Sequence, residues 1–388
     1  MTGGPNEGPL AGIRVLELTH MLAGPYCGML LADLGAEVIK IEPPTGDIAR
    51  RISPHSVGPH NAYFASLNRN KKSVVLDLAD DGDKARFHKL VKSAQGLITN
   101  MRPAAIRKLG LTYDQLKDIN ERIVCVALTG YGLKGDFADK PAYDYIIQAL
   151  VGIMAMTGEP DGPPVKTGYS AVDNSAGIMG ALGLVAKIVG GRGGQIDVSL
   201  YDVMLSQLNY VAGAYLNAGE EPRRLAGGGH PYIVPAQVFE TRDGYLALFI
   251  THDGFWRKFA EEADKPEWLT DERFSTMAAR TANREAVVGA IGKLLRTNDT
   301  ADWVARLDPL GIVAAGVETL PQALAGDIVR ERGLVQEIPV ADATLRVIAS
   351  PFKFSDFETG YRPPPLLGEH TDSFFGKGTT VTPPNGPP

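Results

Sequence analysis

Apolar positions in the first half of the chain fall into short unbroken runs separated by longer stretches of helical spacing. The runs at residues 13–18, 37–41, 73–78, 96–99, 123–128 and 195–198 are too short for core helices and rich in β-branched residues, so they predict buried strands. Residues 24–34, 81–93, 142–154, 176–189 and 200–216 read as helices between or after them, the last as one long apolar helix. The glycines of Gly190-Gly-Arg-Gly-Gly194 stop the fourth of these. Strands without a polar face, alternating with helices, imply a parallel sheet covered on both sides.

The pattern changes after Gly219. A polar link at 220–224 leads to the run Gly227-Gly228-Gly229, then to a hairpin turning at Arg242-Asp-Gly244, then to charge-rich helical patterns at 255–263, 284–295 and 301–307. At 388 residues the chain exceeds the roughly 250–300 at which a single core stops growing. The expected division is therefore 1–218 as the first part of a large α/β domain, 225–326 as a small α+β domain, and 327–388 returning to the large one. The expected fold class is α/β, with a Rossmann-like parallel sheet formed by both chain ends. The proline-rich end from Thr379 is expected to be an unfolded tail.

Composition narrows the function classes. The net charge is −6 and no basic run tracks a phosphodiester backbone, so nucleic acid is not an expected partner. The N-terminus lacks a signal-peptide pattern and no apolar run approaches ~20 residues, so no membrane partner is expected. Cys27 and Cys125 lie in apolar segments, as small core residues of a cytoplasmic protein would. The seven histidines are scattered without metal-ligand spacing, so no metal is expected. A serine nucleophile elbow is absent. Glu42 ends the second strand where an acid can grip a ribose, but residues 19–28 lack the glycine fingerprint of a dinucleotide turn, so NAD is not expected.

Four features carry candidate chemistry. Asp173 stands before a helix of small residues, where it is either a cap or a nucleophile. A helix N-terminus favours the carboxylate over the acid, which predicts an ionised Asp173 at neutral pH. The helix opening at Gly24 offers free N–H groups to an anion, with His20 beside it. Residues 68–72 concentrate three cations that are either a polyphosphate cradle or solvated surface. Gly227 to Gly229 are either a linker or a flap that excludes water.

Taken in order, several stretches resemble class III CoA-transferases, the family of formyl-CoA transferase, carnitine CoA-transferase and α-methylacyl-CoA racemase. They are residues 10–20 (Leu-Ala-Gly-Ile-Arg-Val-Leu-Glu-Leu-Thr-His), Ala23-Gly-Pro25, 33–42, 68–73 (Asn-Arg-Asn-Lys-Lys-Ser), Gly130-Tyr-Gly132, Pro141-Ala-Tyr-Asp144, Val172-Asp173 with Gly177, the glycine run, and 365–371. The resemblance implies that Asp173 is the catalytic aspartate, passing through a mixed anhydride to an aspartyl-CoA thioester. It implies coenzyme A, brought as acyl-CoA, and a free carboxylic acid as substrates, without metal or NAD. The CoA contacts it implies fall on His20, Ala23, Asn100, Met101, Ala105, Lys108 and Tyr131, with Asn70 and Lys71 from the basic cluster. Gly227, Gly228 and Gly229 align with a loop that shields the intermediate, and the family's interlocked homodimer is the expected assembly.

Three positions depart from the pattern. Lys108 stands where some relatives carry arginine, which loses the bidentate fork. Leu22 replaces a glutamine of formyl-CoA transferases, which argues against formyl and oxalate. Tyr143 replaces the histidine of racemising relatives, and with a pKa of about 10 it is a poor base at neutral pH. Racemisation of a 2-methylacyl-CoA and non-catalytic acyl-CoA binding remain the alternatives.

Overall fold

The computed structural model describes residues 8–377, so the expected tail from Thr379 lies outside the described residues. Contacts divide the chain into two compact units. One comprises residues up to Val151, Gly168–Tyr210 and those from Asp327 on; the other comprises Gly152–Thr167 and Val211–Gly326.

The first unit is built on six strands: β1 (Arg14–Leu18), β2 (Glu37–Glu42), β3 (Lys72–Val75), β4 (Gly96–Thr99), β5 (Val124–Thr129) and β6 (Gly194–Ser199). All are parallel, in the order β3-β2-β1-β4-β5-β6. Every residue of β4 and β5 is buried, as strands covered on both faces require. The order reverses between β1 and β4, and in open α/β sheets a ligand crevice forms at such a point, beyond the carboxyl ends of the strands. Helices α1 (Ala23–Asp33), α2 (Ala62–Asn68), α3 (Asp81–Val91), α4 (Pro103–Leu109), α5 (Asp144–Leu150) and α6 (Ala171–Val189) connect or follow the strands.

Three expectations about this unit change. Among the described residues the sheet takes no strand from the C-terminal return, which instead forms its own hairpin, Val335–Val340 with Ala343–Ile348. The return covers the edge of β3: the Gly368 amide donates to Ser73 Oγ, the His370 amide to the Ser73 carbonyl, and the Val75 amide to Thr371 Oγ1. An edge strand that would otherwise be open is thereby paired. The helix expected at 142–154 is split, because Gly152 adopts φ +84° between α5 and a short turn at Ile153–Met156. The helix expected at 200–216 is likewise two, α7 (Leu200–Ser206) and α8 (Asn209–Ala218); Asn209 turns its side-chain oxygen onto the next amide, the local bond by which asparagine interrupts helices.

α6 lies against α1 at glycines. A Cβ on Gly177 would stand 2.9 Å from the Ala23 carbonyl and 3.2 Å from the Cys27 nitrogen, and one on Gly180 would meet Leu128 and Cys27. Asp173, Gly177 and Gly180 share one helical face by their i, i+4, i+7 spacing, so the same close approach that packs the helix directs Asp173 toward α1. By length and composition α6 is the one helix among the described residues apolar enough to cross a membrane. Cys27 and Cys125 are buried free thiols, as expected.

In the second unit, β7 (Ala236–Glu240) and β8 (Tyr245–Phe249) form the expected hairpin, and β9 (Val313–Gly316) joins it antiparallel. Helices α9 (Asp253–Glu262), α10 (Arg284–Leu295) and α11 (Thr300–Leu307) cover it around Trp256, Phe259, Trp268 and Trp303. Gly152–Thr167 belongs here, tied by the Arg224 guanidinium, which donates to the carbonyls of Glu159, Gly162 and Pro163.

Candidate active site

The crevice at the switch point is a cleft of about 160 Å³ whose walls come from the turn after β1, α2, the turns after β4 and β5, and the first turn of α6. His20 follows β1 and Asn100 follows β4. The Asn100 side chain accepts the His20 amide at 3.0 Å and donates to the His20 carbonyl at 2.8 Å, so it clamps the two turns across the reversal. Its amide is thus engaged with protein backbone. The next residue, Met21, is held at φ +63° and donates its amide to Asp47. The first turn of α1 begins with Ala23 at the cleft wall and has no side-chain cap, the kind of helix end that can receive an anion.

Under this turn lies a chain of buried charges. Lys40 Nζ stands 3.2 Å from Glu17 and 2.9 Å from Asp47, and Lys71 Nζ stands 2.8 Å from Glu17, with all four side chains at most 1 % exposed. Lys40 also donates to the Thr19 carbonyl and Lys71 to the Pro25 carbonyl, so both cations brace the turn from below. Gly28 is required here: a Cβ would fall 1.8 Å from Glu17 Oε2.

This placement corrects the reading of the basic cluster. Lys71 is interior, and Asn70, at φ +64°, is buried between Asp33 and the Arg362 backbone. Arg69 pairs with Asp33, and Lys72 with Glu37. None of the cluster's cations is left free to cradle a phosphate. The sequence showed their charge, but their partners lie 30 residues or more away.

Asp173 lines the cleft. It is not the cap of its helix: Ser170 holds the cap position, and Asp173 is the third helical residue. The Val172 backbone amide is instead taken by Asp144 Oδ1 of α5 at 2.9 Å, while Asp144 Oδ2 accepts from the Gln148 side-chain Nε2 at 2.8 Å. Among the described residues, no donor reaches the Asp173 carboxylate. The expectation of an ordinary ionised carboxylate therefore fails. Burial first, and the Asp144 charge second, push its pKa up to about 7; both outweigh the helix dipole. Tyr63 of α2 faces it, its hydroxyl raised above the usual range by burial and then by the Asp173 charge.

The structure gathers His20, Ala23, Asn100, Met101 and Asp173 around one cleft. Tyr131 lies in an adjoining hollow with Phe137, Leu150 and Tyr201, and Lys140 lines both spaces. Ala105 and Lys108 sit farther along α4, whose first residue, Pro103, reaches the cleft; Lys108 is exposed in its last turn. Gly227, Gly228 and Gly229 belong to the second unit. Gly227 and Gly228 have φ of +63° and +64°, and a Cβ on Gly227 would strike the Val238 carbonyl, so glycine is required there. Sequence reasoning gave no role to Asp144, Tyr63, Arg102 or Lys140. Asp144 was visible only as the end of the Pro-Ala-Tyr-Asp motif.

Residues 10–371 match the family model of CoA-transferase family III. The chain belongs to that family. Among curated relatives, a succinate–glutarate CoA-transferase of Agrobacterium fabrum is 35 % identical over 98 % of both chains. An acetyl-CoA:oxalate CoA-transferase of Acetobacter aceti is 36 % identical, covering 84 % of this chain and 87 % of its own. Among solved structures, a CaiB/BaiF family protein from Brucella suis superposes with a TM-score of 0.83 at 33 % identity, over 94 % of this chain and 98 % of that one. This family III CoA-transferase is an enzyme that moves CoA, with acyl-CoA as its co-substrate and carboxylic acids as the groups exchanged.

Proposed function

We propose that the enzyme transfers CoA through a covalent aspartyl-CoA thioester on Asp173. The observation that carries this is a half-buried, undonated carboxylate at the switch-point cleft, beside the uncapped first turn of α1. The Asp173 oxygen attacks the thioester carbonyl, the C–S bond breaks, and CoA leaves as thiolate from a mixed anhydride. The thiolate then attacks the aspartyl carbonyl and releases the donor acid as carboxylate. An acceptor carboxylate reverses both steps. Each tetrahedral intermediate carries an oxyanion, for which the uncapped first turn of α1 offers backbone donors.

The acid exchanged is a short dicarboxylate. The relatives from Agrobacterium and Acetobacter are named for succinate, glutarate and oxalate. In this chain Arg102 and Lys140 line the cleft without a carboxylate partner among the described residues, and a distal carboxylate would supply one. The oxalate relative weakens the argument from Leu22 against that acid. Lys108 and Tyr131 are carried over as contacts for the distal part of CoA, and the glycine loop of the second unit as the shield of the intermediate. The working form is a homodimer in the cytoplasm: Ile178, Met179, Leu182 and Val189 of α6 are 42–82 % exposed, a face that a second copy would cover.

Incubation with succinyl-CoA and hydroxylamine, followed by peptide mass mapping, should place a hydroxamate on Asp173. Asp173→Ala should give none and lower transfer by on the order of 10⁴-fold or more. A hydroxamate at another residue, or undiminished transfer by the variant, would exclude the mechanism.

A further inference from the structure

Behind the cleft, against the first turn of α6, stands a second carboxylate that the reaction does not consume. Asp144, the first residue of α5, is 7 % exposed and engages both its oxygens, one with the Val172 amide and one with Gln148. Val172 is the second residue of α6, and its amide is one of those that a helix's own cap side chain ordinarily takes. Ser170 makes no such bond. The helix that bears the nucleophile is therefore capped by a side chain 28 residues away in sequence.

We propose that Asp144 is a positioning residue for the transfer: by capping α6 from a neighbouring helix it relieves Asp173 of that task and leaves the nucleophile's carboxylate turned to substrate. This rests on the reading of Asp173 as nucleophile. The alternatives for an aspartate near a helix N-terminus are exclusive, because an oxygen folded back onto an amide of its own first turn is not available for attack. Asparagine would cap equally well. The choice of aspartate adds a fixed negative charge, which joins burial in holding Asp173 up near pKa 7. The ionisable groups that line the cleft with Asp173 are His20 after β1, Tyr63 of α2, Arg102 before α4, and Lys140 and Tyr143 ahead of α5. Asp144 is the one whose charge acts on Asp173.

Asp144→Asn and Asp144→Ala separate the two effects when kcat is measured from pH 5 to 9 with succinyl-CoA and glutarate. In Asp144→Asn the cap persists and the charge goes, so the acid limb of the profile should move down by on the order of half a pH unit. Its plateau above pH 8 should stay within about threefold of wild type. Asp144→Ala should lose at least tenfold in kcat at every pH, with faster hydrogen exchange in the first turn of α6. An Asp144→Asn profile superimposed on the wild type, or an alanine variant as fast as wild type, would overturn the inference. Hydroxylamine trapping on the unmodified enzyme tests the nucleophile separately: a hydroxamate on Asp173 together with an unmoved profile refutes this inference alone, whereas no hydroxamate on Asp173 removes the reading beneath it.

Discussion

Replacing Glu17 by glutamine removes the carboxylate that two buried ammonium groups share. Glu17, Lys40 and Lys71 are 0 % exposed at their side chains, and Asp47 is 1 % exposed. Two cations and two anions balance in the native protein, and in the variant two cations are left with Asp47. Removing one partner of a buried pair costs about 3–5 kcal/mol. Relaxation offers little relief, since Gly28 already packs so closely that even a methyl group would overlap Glu17 Oε2. The pH dependence has a definite sign. Burial lowers the Lys71 ammonium to about 8 even with Glu17 present, and without Glu17 it must fall further. The folded variant then holds fewer protons than the unfolded chain, so its stability should rise with pH from about 7 to 10.

Hydrogen exchange resolves the units. The cost should accelerate exchange in β1 and α1 by roughly a hundredfold or more, at tenfold per 1.4 kcal/mol. Peptides from α10, in the second unit, should keep their rates. All three tryptophans, Trp256, Trp268 and Trp303, belong to that unit, so tryptophan emission reports it and not the loss at Glu17. The double variant Glu17→Gln/Lys71→Met, which removes a cation as well, should recover much of the loss. Exchange in β1 within threefold of wild type, or a double variant whose cost is the sum of the two single ones, would refute the account of this buried chain.

Asp173 makes a stability prediction independent of turnover. With its folded pKa near 7 against 3.8 unfolded, the stability it contributes is present below about pH 4 and is lost as pH rises through 7. Asp173→Asn should therefore raise the melting temperature at pH 8 and leave it unchanged at pH 4, as calorimetry would show. Wild-type kcat should fall as pH drops below about 7, because the protonated acid does not attack. Gly177→Ala forces a methyl against the Ala23 and Cys27 backbone; it should cost about 1–3 kcal/mol in urea denaturation and lower kcat by displacing α6. Lys108→Ala should raise KM for acyl-CoA severalfold and leave kcat alone, and an unchanged KM would remove Lys108 from the CoA contacts.

The sheet was legible because its evidence is local. Strands buried on both faces read as unbroken apolar runs, and 96–99 in particular coincides with β4. The hairpin at 242–244 was equally plain. What was lost depended on pairing across the chain. The cations of 68–72 look the same in sequence whether solvated or interior, and only the fold supplies Glu17, Asp33 and Glu37 as their partners. The state of Asp173 was misjudged for the same reason: the helix dipole is visible locally, while burial and Asp144 are contributed from a distance. The breaks at Gly152 and Asn209 had visible residues, but apolar periodicity on either side masked them.

The pairing of β3 with residues 368–371 has a consequence for synthesis. Ser73 waits for His370, 297 residues later in the chain. At about 5–20 residues per second a ribosome takes roughly 15–60 seconds to deliver it. Even once β6 is complete at Ser199, the nascent sheet keeps its β3 flank uncovered until residues 368–371 arrive, the geometry that recruits another polypeptide. A premature stop shortly before residue 365 would spare every group around Asp173 and still yield a sticky, aggregating product.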